Sequence, residues 1–280
     1  MKNSSSLVDL HAHSSASDGS FSPRELVDFA ARRNLGTLAL CDHDTTSGLD
    51  EFISCSKQTA IHAVRGVELS ATWKTGNCHI VGLGVNDNYG PLEDLLQDFR
   101  DSRDNRNVKI VDRLNKAGIA VTLDEIESIA GGDVVARPHI ARVMMHKGYV
   151  ASTQEAFDKY LAKGAPAYVD RFRLDPENAV EILSEASAKV VLAHPSQLKL
   201  DVPELDTFVK KLAPFGLAGM EVYTPYTSDE VLDEYVAIAK KYDLYVTGGS
   251  DFHGESKPDH FLGHYRADKV IPSFCAEIVC

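Results

Sequence analysis

The sequence predicts an α/β fold in which a mostly parallel sheet or barrel carries a helical insertion, and three observations support it. Short β-rich runs alternate with helical patterns in residues 1–88 and again in residues 169–280. Residues 89–168 are mostly helical, charged and poor in strand patterns. The length of 280 residues suits one large domain, or one domain with an insertion.

The first βα units have clear end signals. An apolar strand is predicted over residues 7–10 and stops at His11. Ser22 is expected to cap the next helix, because Pro23 occupies the first helical position and Glu25 completes a capping box. The elements that follow are a strand at 37–41, a helix at 49–56, a strand at 63–69 that is broken at Arg65 and Gly66, and a strand at 79–85.

The insertion is predicted to hold four helices, and the βα alternation resumes after it. The helices of the insertion cover residues 92–117, 123–130, 138–147 and 153–161, with glycine-bearing turns between them. Beyond the insertion, helices at 175–187, 202–212 and 228–242 alternate with strands at 189–193, 217–222 and 244–247. This order favours a parallel sheet or a barrel.

The acidic composition limits the classes of function. Lys and Arg total 29 against 41 Asp and Glu, so the net charge is −12 and a broad basic surface for polyanions is not expected. Metal ions or a few placed arginines must supply positive charge if the substrate is a phosphate. We expect a cytoplasmic protein without a membrane segment, because no signal peptide or long apolar run is evident and the five cysteines form no C-x-x-C pair.

Histidines and carboxylates follow the predicted strands at the points where the strands end. In a βα barrel these ends share one mouth, so residues far apart in the chain converge there. Both side chains of an H-x-H or D-x-H pair point the same way on an extended segment. The candidates are His11, His13, Asp18, His43, Glu68, His194, Asp251 and His253.

His79 departs from this pattern, because it stands at the start of its apolar run. It reaches the mouth only if its strand runs opposite to its neighbours. From spacing alone, a metal ligand and a structural histidine are equally good interpretations of His79.

A polynuclear metal site explains the joint pattern better than separate structural roles do. A single histidine is more commonly a surface or core residue than a ligand, but this chain has six such histidines and three carboxylates, most of them just after an apolar strand. The clear candidates include no cysteine, which disfavours a structural zinc–thiolate site. Mixed imidazole and carboxylate ligands suit Mn²⁺, Fe²⁺ or Zn²⁺.

These segments resemble the PHP (polymerase and histidinol phosphatase) superfamily of metal-dependent phosphoesterases. The matching segments appear in family order over nearly the whole chain: DLHAH at 9–13, SDG at 17–19, CDHDT at 41–45, GVELS at 66–70, HIVG at 79–82, LAHP at 192–195 and GSDFH at 249–253. The chain is most similar to the branch of nucleoside 3′,5′-bisphosphate phosphatases and the related 5′→3′ exoribonuclease RNase AM. That branch has a helical insertion after the HIVG motif, and VARPHIAR at 135–142 resembles its arginine-histidine segment.

The resemblance implies a distorted (β/α)7 barrel with two to three divalent ions. The first ion would be held by His11, His13, Glu68 and Asp251, and Glu68 would bridge to a second ion held with His79 and His194. A third ion would be held by Asp18, His43 and His253. Many members carry histidine where this chain has Asp18, so the site is more anionic than usual. Mn²⁺ is the expected metal, with Fe²⁺ or Zn²⁺ as alternatives.

Residues beside the metal motifs are candidates for substrate binding and proton transfer. Asp44 either orients His43 or accepts a proton, although a role in the turn at 44–48 explains it equally well. The resemblance assigns substrate-binding or catalytic roles to Arg137 and His139, and it assigns substrate binding to Arg142 and to the pair Arg103 and Arg106. Ordinary ion pairs on solvated faces are the alternative for these arginines.

The predicted function is metal-dependent hydrolysis of phosphate esters. Residues 1–88 and 169–280 would form the catalytic barrel, and residues 89–168 would recognise the substrate. The first hypothesis is a phosphatase for nucleoside 3′,5′-bisphosphates, a 5′→3′ exonuclease for short RNA, or both, with no stable protein partner. The alternatives are a phosphatase for a small metabolite such as histidinol phosphate, and a noncatalytic metal-binding module associated with a polymerase.

Overall fold

The computed structural model describes residues 7–74, 76–130, 135–170 and 172–280. Its centre is a seven-stranded sheet whose strands lie in chain order. The strands are β1 (Leu7–Ala12), β2 (Leu35–Leu40), β3 (His62–Ala71), β4 (Cys78–Leu83), β5 (Lys189–Leu192), β6 (Leu217–Tyr223) and β7 (Tyr245–Gly248). A small hairpin of β8 (His264–Arg266) and β9 (Lys269–Val270) lies outside this sheet.

Strand β4 is the reversed member of the sheet. It pairs antiparallel with both β3 and β5, whereas the other neighbouring strands pair in parallel. Its first residues therefore lie at the edge where the other strands end. The reversed direction that His79 requires to reach the mouth is confirmed.

The sheet is curled, so that its two edge strands approach each other. Ala12 at the end of β1 forms an isolated parallel bridge with Phe252, just beyond β7. The backbone N–H of His13 donates to the carbonyl of Phe252 at 2.9 Å. The carboxyl ends of the first and last strands are thus brought together at one mouth, which confirms the convergence argument for strand ends.

Nine α-helices accompany the strands in the described ranges. They are α1 (Pro23–Arg32), α2 (Leu49–Ser56), α3 (Gly90–Lys116), α4 (Leu123–Ala130), α5 (Arg137–His146), α6 (Thr153–Ala156), α7 (Pro176–Glu185), α8 (Val202–Leu212) and α9 (Asp229–Lys241). A π-helical turn, Phe157–Leu161, extends α6, so the predicted helix at 153–161 changes its winding midway. Among the described residues, none of the helices has the length and apolar character needed to cross a lipid bilayer.

Helix α3 contributes to two separate hydrophobic clusters. Leu92, Leu96 and Phe99 in its first half pack into the main core beneath the sheet. Ile110 and Leu114 in its second half belong to a cluster formed with α4, α5 and the segment after α6. One continuous helix therefore joins the sheet to the helices that lie between β4 and β5.

The local predictions hold at the first helix and fail in β3. Ser22 Oγ accepts from the backbone N–H of Glu25, and Glu25 accepts from the N–H of Ser22, so the capping box is confirmed. The predicted break at Arg65 and Gly66 is wrong, because β3 runs through both residues. Gly66 is needed for close packing rather than for a break, since a Cβ there would lie 2.6 Å from Cys41 Sγ.

Candidate metal centre

The nine predicted metal ligands lie together where the parallel strands end and β4 begins. His11, Glu68 and His79 lie within strands β1, β3 and β4. The others follow strands or occupy the loop after β1, and they are His13, Asp18, His43, His194, Asp251 and His253. The carboxyl ends of parallel strands lie at the same edge of a sheet, so the fold brings these nine residues close together.

Glu68 lies at the centre of the cluster and is fully buried. Its carboxylate oxygens lie 2.7 Å from His43 Nδ1, 2.9 Å from His79 Nδ1 and 2.9 Å from His194 Nε2. His11 and His13 approach the same carboxylate at 3.3 and 3.4 Å through their Nε2 atoms. A carboxylate surrounded by five imidazoles has the geometry expected of a ligand shared between ions.

Asp251 and Asp18 face the remaining histidines of the cluster. Asp251 Oδ1 lies 3.1 Å from His13 Nε2, and Asp18 Oδ1 lies 3.2 Å from His253 Nε2. His43 Nε2 is 3.9 Å from the same Asp18 oxygen. Asp251 and Asp18 therefore lie on different sides of the cluster.

The potential ligand atoms fall into four overlapping groups, each with all its atoms within 4.8 Å of one another. These groups are His13, Asp18, His43 and His253; His11, His13 and Asp251; His11, Glu68 and His194; and His43, Glu68 and His79. The first group contains the predicted third site together with His13, and the second contains the predicted first site without Glu68. The members of the predicted second site are divided between the last two groups, which share Glu68.

The unsatisfied polar atoms of the cluster test whether these residues fit metal ions. Within the described ranges, the following buried side-chain atoms form no hydrogen bond of suitable geometry, although several of them lie close to one another: His11 Nε2, both ring nitrogens of His13, Asp18 Oδ1, His43 Nδ1, Glu68 Oε2, His194 Nδ1 and His253 Nε2. Leaving one such group unsatisfied costs about 1–3 kcal/mol, and native proteins keep few of them. Ligation by divalent ions would satisfy these nitrogen and oxygen donors together, so the residues fit the metals.

The carboxylates of the cluster are held in their charged form. Burial alone would raise their pKa values, but the neighbouring histidines outweigh it. His79 and His43 hold the pKa of Glu68 well below its usual range, and His253 does the same for the pKa of Asp18. Charged oxygen ligands are thus present without any change of protonation.

Two further carboxylates, which the sequence places in the motifs but does not assign, fix the loops that carry the ligands. Asp9 accepts from the N–H and hydroxyl of Ser250 at 2.9 and 2.5 Å and from the N–H of Gly263 at 2.7 Å. Asp42 accepts from the N–H and hydroxyl of Ser14 at 2.8 and 2.6 Å. Burial raises the pKa of each carboxyl to about 6.

Glu221 is a buried member of the site that sequence analysis missed. Its carboxylate lies 3.1 Å from His11 Nδ1 and accepts the backbone N–H of His194 at 2.8 Å. An acidic residue at a buried position of the apolar strand β6 was the available signal. Gly249 permits this arrangement, because a Cβ there would lie 2.4 Å from Glu221 Oε1 and 2.2 Å from the Cβ of His11.

Tyr226 and Lys257, also missed, converge on Asp251. The hydroxyl of Tyr226 and the ammonium of Lys257 both donate to Asp251 Oδ2 at 2.5 Å. Although burial opposes the charged amine, Asp251 raises the pKa of Lys257. The second oxygen of Asp251 is thereby held on the side of the carboxylate away from His13.

The buried face of α3 changes from apolar to polar where the helix passes the cluster. Arg103, Arg106 and Asn107 occupy the stripe that apolar side chains fill on both sides of them. Arg103 Nη2 donates to Asp44 Oδ2 at 2.6 Å, and Asp44 also accepts the N–H of Ser70 at 2.8 Å. Asp44 therefore anchors an arginine of α3 to the loop after β2.

A cavity of 240 Å³ separates the cluster of candidate metal ligands from the arginines. Asp18, His43 and His79 line one side of it. Arg103, Arg106 and Arg137 line the other. The cavity thus places cationic side chains opposite potential metal ligands within a single small space.

His139 and Arg142 do not line this cavity. His139 is buried, and its Nδ1 accepts the backbone N–H of Ala136 at 3.1 Å, at the start of α5. Burial, with a contribution from Arg142, lowers the pKa of His139 to about 4. Arg137 reaches the cavity while donating to the carbonyl of Leu161 at 3.0 Å.

Comparison with known proteins identifies relatives along almost the entire chain. The PHP domain family matches residues 9–247. The chain is 36% identical to a 5′-3′ exoribonuclease of Haemophilus influenzae, over 88% of this chain and 89% of that protein. It is 32% identical to a 3′,5′-nucleoside bisphosphate phosphatase of Chromobacterium violaceum, over 97% of this chain and 94% of that protein.

A solved structure shows the same fold. It is described as an amidohydrolase from Chromobacterium violaceum with bound sulfate and no metal. The two structures superimpose with a TM-score of 0.86 at 31% identity, and the match covers 98% of this chain and 96% of that chain. The similarity in sequence therefore extends to the arrangement of the strands and helices.

Proposed function

This chain belongs to the PHP domain family, and from that membership we propose that it is a metal-dependent phosphoesterase that hydrolyses phosphate esters of nucleotides. The names of its relatives support nucleoside 3′,5′-bisphosphates and the 5′ ends of short RNA as substrates. Both substrates carry two phosphate groups on one nucleoside, and the active site must accommodate both groups.

The observation that carries this proposal is the 240 Å³ cavity with two unlike walls. The wall formed by Asp18, His43 and His79 belongs to the metal-binding cluster. The opposite wall of Arg103, Arg106 and Arg137 offers guanidinium groups, which bind phosphate through paired, charge-assisted hydrogen bonds. A phosphate at each wall, joined by one ribose, matches this arrangement.

Two to three divalent ions would be held by the nine ligands, with Glu68 shared between ions and Mn²⁺ as the preferred metal. Such ions supply a hydroxide from bound water at neutral pH and neutralise charge on the phosphate. The chain's own residues would orient the metal ligands and the substrate-binding arginines. Glu221 fixes the ring of His11, and Asp44 fixes Arg103. The contacts of Asp44 favour a positioning role over that of a proton acceptor.

Helices α3 to α6, within residues 89–168, would recognise the substrate. In this division, residues 1–88 and 169–280 form the catalytic part, a distorted (β/α)7 barrel, and residues 89–168 form the inserted part. The ligand set lies in the catalytic part, whereas Arg103, Arg106 and Arg137 lie on α3 and α5. Because α3 packs into both hydrophobic clusters, it can present arginines to the metal-binding face.

The deciding experiment measures phosphate release, or nucleotide release for RNA, with three substrates and added Mn²⁺. These substrates are adenosine 3′,5′-bisphosphate, histidinol phosphate and short 5′-phosphorylated RNA. We expect turnover of the first and third, and its loss after treatment with EDTA. Preference for histidinol phosphate would instead identify a small-metabolite phosphatase. Metal binding without turnover of any of the three would indicate a noncatalytic module.

A further inference from the structure

A second, larger cavity opens beside the one that faces the metal ligands. Its volume is 740 Å³, about three times that of its neighbour. The two cavities share Asn77, Arg137, Phe157 and Arg173 as lining residues. Tyr226, which donates to Asp251, lines the larger cavity as well. The two cavities are therefore adjacent, and the larger one is lined both by Arg137 and by a residue that contacts Asp251.

The charge of this larger cavity is opposite to that of the protein. Five cationic side chains line it, namely Lys74, Arg137, Lys163, Arg173 and Lys199, and none of the described residues lining it carries a carboxylate. The whole chain has a net charge of −12. A local concentration of cations on an acidic protein marks a site for an anionic ligand.

Most of these cations are available to a ligand. Lys74, Lys163 and Lys199 are all exposed. Arg173 lies 3.3 Å from Asp170, which is largely exposed and therefore a weak competitor. Burial and the neighbouring Arg173 lower the pKa of Arg137, which also indicates that two guanidinium groups are held close together.

Aromatic side chains lie among the cations. Trp73, Phe157, Tyr168 and Tyr226 all line the cavity. The guanidinium of Arg137 lies 5.4 Å from the centre of the Tyr168 ring and 5.9 Å from that of Phe157. Alternating positive charges and aromatic rings are how proteins bind single-stranded nucleic acids, because phosphates meet the cations and bases stack on the rings.

We propose that this cavity binds the nucleotides that follow the first nucleotide of a single-stranded RNA substrate, so that the protein favours short RNA over mononucleotides. The inference rests on the proposed function, which supplies the orientation of the first nucleotide. In this proposal the larger cavity binds the second and third nucleotides of the RNA. Lys163 and Lys199 line only this cavity and not the smaller one, so they contact the later phosphates and leave the first nucleotide untouched.

The chain contains a built-in probe for this binding. Trp73 is its single tryptophan and lines the cavity. The experiment titrates EDTA-treated protein with adenosine 3′,5′-bisphosphate and with 5′-phosphorylated oligoadenylates of two to six nucleotides, while tryptophan emission is recorded. We expect affinity to rise with length and then to level off. Equal affinity for the bisphosphate and the hexamer would overturn the proposal.

A double lysine variant provides a second test of RNA binding in the larger cavity. Lys163→Ala/Lys199→Ala should weaken binding of the hexamer roughly tenfold at physiological salt, and should make the salt dependence shallower by about 1.4 in log–log slope, since each phosphate contact to a single strand contributes about 0.7. The matched control is Lys57→Ala/Lys240→Ala, which removes two exposed lysines elsewhere. Hexamer affinity that is unchanged in the first variant, or equally weakened in the control, would overturn the proposal.

Turnover separates this inference from the proposed function. The ratio of kcat/KM for the hexamer to that for the bisphosphate should fall in Lys163→Ala/Lys199→Ala. Length-dependent binding without hydrolysis of any nucleotide would overturn the proposed function and support the RNA-binding cavity. Hydrolysis of the bisphosphate without any advantage for longer RNA would support the proposed function and overturn the role of the cavity.

Discussion

The carboxylate of Glu221 lies 3.1 Å from Nδ1 of His11, with the opposite ring nitrogen of His11 facing Glu68 at 3.3 Å. This carboxylate–imidazole relationship fixes both the orientation and the tautomer of a histidine that would bind metal through Nε2. The two residues are separated by 210 positions in the chain. Only the packing of β6 beside the mouth brings them together.

Replacing Glu221 with glutamine should weaken metal binding. The amide preserves the size of the side chain but removes the charge that supports His11, and loss of such a supporting partner typically costs 10–100-fold in metal affinity or activity. Metal content after dialysis and titration calorimetry with Mn²⁺ measure the effect directly. Glu234→Gln, an exposed change on α9, is the control. Undiminished Mn²⁺ affinity in Glu221→Gln would contradict the role assigned to Glu221.

Replacing Arg137 with alanine should impair hydrolysis of a 3′,5′-bisphosphate far more than that of a simple aryl phosphate. The aryl substrate lacks the second phosphate, so it has no contact with Arg137 to lose. A charge-assisted hydrogen bond of about 1.5–3 kcal/mol corresponds to a 10- to 150-fold change in the ratio of the two kcat/KM values. Arg137→Lys retains the charge but not the planar fork, and should recover only part of the loss.

Arg100→Ala serves as the control for Arg137, because Arg100 lies on α3, is hydrogen-bonded to Gln97 and is not among the residues lining the cavity. It should leave the ratio unchanged. Equal losses for both substrates in Arg137→Ala would show that Arg137 supports the fold or the scissile phosphate instead.

Arg103 and Asp44 should show a large coupling free energy in protein stability. Arg103→Met removes a buried cation from the carboxylate of Asp44, and breaking a buried pair in this way costs about 3–5 kcal/mol. Asp44→Asn/Arg103→Met should recover much of that loss, because asparagine removes the charge and tolerates the positive φ of 55° at position 44. Urea unfolding of the two single variants and the double variant measures the coupling. Additive effects would show that the pair contributes no coupling free energy.

Acid should destabilise the protein partly through His139. The pKa of His139 is lowered from 6.5 to about 4 in the folded protein, so its contribution to stability is fully present above pH 6.5 and is lost as the pH falls towards 4. Protonation would also remove the nitrogen lone pair that accepts the N–H of Ala136. His139→Asn retains an acceptor that does not titrate.

Urea unfolding at pH 7.5 and pH 5 measures this effect. Between these values the wild-type protein should lose ~2 kcal/mol more than His139→Asn, at about 1.4 kcal/mol for each pH unit below 6.5. Other titrating groups act in both proteins and cancel in the comparison. The same loss in both proteins would mean that His139 is free to protonate in the folded state.

The grouping of the candidate metal ligands was predictable because most of them follow a local signal, an apolar run that ends at a histidine or a carboxylate. His79 stands at the start of its run, and sequence analysis identified the reversal of β4 as the condition under which it reaches the mouth. The supporting residues had no such signal. Tyr226 and Lys257 donate to Asp251 from different segments, and this convergence depends on how the loops fold over the mouth. The predicted break in β3 relied on the low propensity of glycine for strands. The close packing of Gly66 against Cys41 overrides that propensity and keeps glycine within the strand.

The length of α3 constrains how this chain can diverge. From Gly90 to Arg103 the helix rises roughly 20 Å, and each residue added or removed there would turn Arg103 and Arg106 by about 100° around the axis. Because Leu92 and Phe99 are fixed in the main core, a single-residue insertion between Phe99 and Arg103 would direct the arginines away from the cavity. Insertions and deletions should therefore be rare in this stretch among relatives that retain the activity. The turns after Lys116 are free of this helical register, and differences in length should accumulate there.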